Sequence, residues 1–225
     1  MRVLAIDTST ELGSVALLVD GHLKAEVAAR VRARHGETVF RLLEQALAHA
    51  GLAKTELDLI ASGVGPGSFT GTRVGLAAAK GLAVALDVPI VGVPTLRALA
   101  RAAPGALLAP AVDAHKGEVF VAVYERTGAG LVQKLAPIHG LPGDVAPKLP
   151  AGAVLFGSGA RKYPAALPPA LPPLFDAPRA SFVALEGLER FEAQGPDDRS
   201  TLEPLYVRGA DAKLPQPASD ESKRS

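Results

Sequence analysis

The stretch Leu59-Ile60-Ala61-Ser62-Gly63-Val64-Gly65-Pro66-Gly67-Ser68-Phe69-Thr70-Gly71-Thr72-Arg73-Val74-Gly75 decides the fold: a buried apolar run breaks into a glycine-rich turn and then a small-residue helix. Pro66 fixes its own φ and the flanking glycines take φ > 0 at no steric cost, so the chain reverses within a few residues. Ser68 or Thr70 can cap the helix that follows. Gly71 and Gly75 stand four apart, with Ala78, Ala79 and Gly81 beyond. One face of that helix therefore has little side chain to hold another backbone away, and it packs closely, either on a sheet or on a partner. Unpaired amides at a helix start form an anion site, but a Walker loop needs G-x-x-x-x-G-K-[ST] and here Gly71 is followed by Thr72-Arg73. The plain alternative is a tight strand-to-helix connection that holds no ligand.

Outward from this stretch the strand pattern continues in both directions. Arg2 to Thr8 and Gly13 to Val19 read as strands, and Asp20-Gly21 is a hairpin turn into a third, His22 to Arg30. Val39, Phe40, Leu43, Ala46, Leu47 and Ala50 recur at helical spacing up to Gly51. Pro89 to Val93 is a fifth strand, and Thr95 can cap a short helix to Arg101. The order β-β-β-α-β-α-β-α implies a mixed five-stranded sheet with helices on it, an α/β fold. Ala103-Pro104-Gly105 marks a boundary, giving one unit over 1–103 and a smaller one over 104–208. In the second, Leu107 to Val112, Glu118 to Tyr124 and Ala153 to Phe156 are strand-like, and Ser181 to Gln194 reads as a helix capped by Ser181. The polar 209–225 tail is expected to be disordered.

With 225 residues, 48% of them hydrophobic, the chain can bury one large core or two small ones. No apolar run approaches the ~20 residues of a membrane helix, and Met1-Arg2-Val3-Leu4-Ala5-Ile6 enters a strand without a signal peptide, so a cytoplasmic location is expected. The absence of cysteine excludes disulfides, thiolate metal sites and a cysteine nucleophile. A net charge of +1 and 4% aromatic residues argue against a protein that grips nucleic acid by itself.

Asp7 closes a strand and is followed by Thr8-Ser9-Thr10, and Asp113 repeats the arrangement in the second half. Two such acids facing one cleft would suit Mg²⁺ beside a phosphate. The simpler reading of each is an Asx-type turn. His22, His35, His49, His115 and His139 show no ligand spacing, so no metal site is expected. Ser68, His115 and Asp113 make a triad only on paper, because there is no G-x-S-x-G elbow. Arg30, Arg32, Arg34 and Arg41 near the first helix read as solvated surface, or as a contact with RNA in a larger assembly.

Ala5-Ile6-Asp7-Thr8-Ser9-Thr10, Arg34-His35-Gly36-Glu37, Gly63 to Gly75, Asp113 to Phe120 and Pro204-Leu205-Tyr206-Val207-Arg208 occur in the order and spacing of the TsaB (YeaZ) family, which the chain resembles over nearly its whole length. The resemblance implies an actin, sugar-kinase and Hsp70-type (ASKHA) fold with two related halves around a cleft. It implies a non-catalytic subunit required for threonylcarbamoyladenosine at position 37 of tRNAs, paired with the catalytic relative TsaD. It also implies work beside the small ATPase TsaE and contact with tRNA only within the complex. At the places of that relative's metal-binding histidines stand Thr95 and Leu99. The expected partner surface comprises Val39, Leu43, Phe69, Arg73, Gly75, Ala78 and Leu82, with a homodimer through the same face when the partner is absent. Asp7, Thr8, Ser9 and Asp113 would form a vestigial nucleotide cleft of weak affinity, with no resident cofactor or metal. The runner-up is a Mg-ATP-dependent phosphotransferase or ATPase built on Asp7 and Asp113, and the third reading is a stand-alone RNA-binding module.

Overall fold

A computed structural model describes residues 1–30, 35–128 and 130–207. Strands β1 (Arg2–Asp7), β2 (Leu12–Val19) and β3 (His22–Arg30) form an antiparallel meander, followed by α1 (His35–Ala50). Next come β4 (Leu59–Gly63), α2 (Phe69–Leu86), β5 (Ile90–Val93) and α3 (Thr95–Ala102). The five strands lie in the order β3-β2-β1-β4-β5, with β4 parallel to β1 and β5 parallel to β4. Successive side chains of a strand alternate between faces. Leu4 and Ile6 of β1 and Val15 and Leu17 of β2 therefore meet α1 and α2, while Val3, Ala5, Ala16 and Leu18 meet the opposite layer. Because both faces are covered, the central strands read as continuous apolar runs.

The second half repeats the plan in reduced form: β6 (Leu107–His115), β7 (Glu118–Thr127), β8 (Gly130–Gly140), α4 (Pro142–Val145), β9 (Val154–Phe156) and α5 (Ser158–Lys162), in the order β8-β7-β6-β9. Again the first two strand pairings are antiparallel, and the strand beyond the central one is parallel. Edge strand β8 carries Pro137 and gave no strand signal in the sequence. A missing N–H is tolerated only at such an edge.

The last helix, α6 (Ala180–Gln194), corrects the division at residue 103, because it returns to the first sheet. Ala180, Val183 and Ala184 cover Val3, Ala5, Leu59 and Ala61, and a methyl group on Gly187 would overlap the Ala61 side chain. An exposed face of that sheet would cost far more than a long connection. Ser181 does not cap this helix as expected. Glu26 of β3 accepts from the Ser181 amide and hydroxyl, both at 3.1 Å, and Ser14 accepts from the Ala180 amide at 3.0 Å. Nor does Thr95 cap α3; its own amide donates to Gly65 O at 2.8 Å, and the preceding Pro94 occupies the cap position. Arg32, Arg34 and the 209–225 tail lie outside the described residues. Among those described, no helix is long and apolar enough to cross a membrane.

Candidate functional site: a paired-ion cleft and an exposed helix face

A cleft of about 800 Å³ opens between the halves, lined by the β1–β2 and β6–β7 turns, α5 and the segment before α6. Each turn is an Asx turn, as the simpler reading held: Ser9 donates its amide to Asp7 Oδ1 at 2.9 Å, and His115 donates its amide to Asp113 Oδ1 at 3.1 Å. The two acids nonetheless sit in unlike places, and the expectation that both face one cleft fails. Asp113 lines the cleft and is held by Lys162 Nζ at 2.7 Å. Asp7 is fully buried, with Oδ2 unpartnered among the described residues and lodged against Gly63, where a methyl group would overlap it. Burial pushes its carboxyl up to about 6 against the two bonds from Ser9.

Thr8 and Ser9 are likewise committed to structure. Thr8 donates its hydroxyl to Gly71 O at 2.7 Å, and Ser9 O accepts the Ser68 amide at 2.7 Å. The cleft cations carry their own acids: Arg161 with Asp176 at 3.0 Å, Arg179 with Glu26 at 2.8 Å, Arg30 with Glu11 at 3.5 Å. A polyphosphate would have to displace these pairs. Ser68, Asp113 and His115 all line the cleft, but the Ser68 hydroxyl is the α2 cap, accepting from the Gly71 amide at 3.2 Å. Thr95 and Leu99 are fully buried in α3. No three His, Asp or Glu side chains converge among the described residues.

The helix face expected to meet a partner needs correction. Val39 and Leu43 of α1 and Gly75 and Ala78 of α2 are buried in this chain's own core. The glycine face of α2 lies on its own sheet: a methyl group at Gly71 would overlap Thr8 O, and one at Gly75 the Thr8 hydroxyl. Leu82 is half-buried against the same core. Phe69 and Arg73 are exposed. Arg73 belongs to an outward stripe, Thr70, Arg73, Ala77, Gly81 and Val84, at steps of three and four, of which the expected partner surface held only Arg73. Val84 is 63% exposed and Phe69 61%, and Phe40 of α1 is also exposed.

Tyr206 joins this face from the far end of the chain. Asp197 bridges to Ile90 at the edge of β5, Lys80 donates to Leu202 O at 3.1 Å, and Leu205 donates its amide to Val64 O at 2.7 Å. This strap lays Tyr206 beside α2. Arg73 stacks on the Phe69 ring, Cζ 3.7 Å from its centroid, and donates Nε and Nη2 to the Tyr206 hydroxyl at 2.9 and 2.8 Å.

A full and a reduced copy of one sheet plan, meeting at a cleft with an acid near the end of the first strand of each, define an α/β protein of the actin, sugar-kinase and Hsp70 type. A family model described as tRNA N6-adenosine threonylcarbamoyltransferase matches residues 26–185. The TsaB protein of Escherichia coli is 41% identical over 135 residues, 58% of each chain, so this chain spans little more than half of that relative. An uncharacterised protein of Mycobacterium tuberculosis is 33% identical over 216 residues, 94% of this chain and 93% of its own. The solved structure of YeaZ from Pseudomonas aeruginosa superposes with a TM-score of 0.79 at 28% identity, covering 91% of this chain and 99% of that one. The chain belongs to the TsaB (YeaZ) family.

Proposed function

We propose that this chain is a non-catalytic subunit in the biosynthesis of threonylcarbamoyladenosine at position 37 of tRNAs that read codons beginning with A. In this reading it stabilises or activates the catalytic TsaD subunit by docking through the outward sides of α1 and α2. TsaE and tRNA meet it only in that assembly, and without TsaD the same face pairs two copies. The E. coli relative is named a tRNA threonylcarbamoyladenosine biosynthesis protein. The observation that carries the docking reading is the outward stripe of α2: Ala77, Gly81 and Val84 leave its backbone open to a second helix, flanked by exposed Phe40 and Phe69. Asp7 and Asp113 give the phosphotransferase alternative no support, one buried away from the cleft and the other paired with Lys162. The test is assembly with purified TsaD, followed by size-exclusion chromatography. Gly81→Arg, at a position where an added Cβ has nothing within 4 Å, should abolish the complex and keep the fold. A complex formed equally well by that variant rules out this face.

A further inference from the structure

We infer that Arg73 and Tyr206 form a clamp for one carboxylate of the docked protein partner, an inference that rests on the docking reading above and names the chemistry at its centre. The Arg73 guanidinium is exposed, yet it is held by two rings, stacked on Phe69 with Cζ 3.7 Å from its centroid and bonded to the hydroxyl edge of Tyr206. Its Nε and Nη2 edge is spent on the Tyr206 hydroxyl oxygen. That oxygen accepts from a cation twice, which leaves its own O–H to donate outward. Nη1 has no hydrogen-bond partner among the described residues. Two exposed donor groups, one of them cationic, are thus left without an acceptor among the described residues. Their ordering cost is met before anything binds, as in preorganised recognition sites.

Such a pair fits an oxyanion, and its surroundings favour a carboxylate on a protein over a backbone phosphate. Phe69 and Leu205 expose apolar surface on either side. Lys80, about two turns further along α2, is tied to Leu202 O. A nucleic-acid footprint needs several free cations along one face. The clamp is also composite: Arg73 belongs to α2 and Tyr206 to the strap 195–207, so the end of the chain sets the charge pattern of a face built near its middle.

The test is titration calorimetry of the full chain with purified TsaD at two salt concentrations, using Arg73→Met, Tyr206→Phe and Gly81→Arg, with thermal melts of each. Arg73→Met should weaken binding about 30-fold and remove most of its salt dependence. Tyr206→Phe, which keeps the ring, should weaken it about fivefold at an unchanged melting temperature. If both bind with wild-type affinity and salt dependence while Gly81→Arg does not bind, docking stands and the clamp is refuted. If Gly81→Arg binds normally while Arg73→Met fails, the clamp survives and the docking contact is confined to the Phe69 end of α2, which overturns the wider helix face. Loss of tRNA retention by Arg73→Met with TsaD binding intact makes the anion a phosphate and overturns the proposal, and a wild-type chain that binds no TsaD overturns both readings.

Discussion

Gly75 and Gly81 lie on one helix, six residues apart, one turned to the core and the other to solvent. A methyl group at Gly75 meets the Thr8 hydroxyl, whereas one at Gly81 meets open space. Gly75→Ala should therefore destabilise the fold by about 1–3 kcal/mol through overpacking, while Gly81→Ala should stabilise it by about 1 kcal/mol through helix propensity; urea denaturation of the two variants checks both signs. Glycine spacing was legible in the sequence, but which glycine faced inward was not, because that depends on where Thr8 lies across the sheet. The same holds for Asp7. Its Asx turn follows from Asp7-Thr8-Ser9, whereas its burial follows from β4 pairing alongside and Gly63 leaving room for the carboxyl. With a folded pKa raised from 3.8 to about 6, folded Asp7 keeps a proton that the unfolded chain has released between those values. Its contribution to stability is thus full at low pH, falls as pH rises through that window, and levels off above it, by about 3 kcal/mol in total. Asp7→Asn should remove that decline relative to the wild type in melts from pH 4 to 7, and an unchanged difference with pH would contradict it.

Helix α6 joins the two halves at the level of elements. Glu186, only 4% exposed, binds Arg97 at 2.5 Å and Arg101 at 3.1 Å of α3, and Arg97 also donates to Leu131 O of β8 at 2.9 Å. Arg126 of β7 closes the end of α3 by donating to Ala100 O at 2.9 Å and Ala103 O at 2.8 Å. Glu186→Ala leaves two cations facing a buried site and should cost about 2 kcal/mol. Glu189→Ala, at a half-exposed partner of Arg101, should cost well under 1 kcal/mol; thermal denaturation separates the two. Most elements of the first half were legible because period and turn chemistry agreed, as in Asp20-Gly21 between β2 and β3. Helix α6 was legible as a helix, but its destination was not, since its cap comes from Glu26 and Ser14 far away in the chain. Edge strand β8 was hidden by Pro137 and by the polar residues that an edge permits.

For the whole molecule, the two halves share a sheet plan while the working surfaces differ from those suggested by that plan. The cleft, where a fold of this type would hold a ligand, is open but lined by charges already paired with one another and by turns whose side chains hold α2 in place. The outward side of α1 and α2 is instead open and composite, with Phe40, Phe69 and Val84 exposed on it and Tyr206 brought to Arg73 by the strap. The sequence motif around Phe69 and Arg73 pointed to this region, and the pairing with Tyr206 needed the folded path of the strap. The most direct measurement is light scattering of the chain mixed with purified TsaD, for the wild type and for Ala77→Arg. A stable heteromeric complex with the wild type and separate components with the variant is the predicted result; equal complexes from both, or none from the wild type, would contradict it.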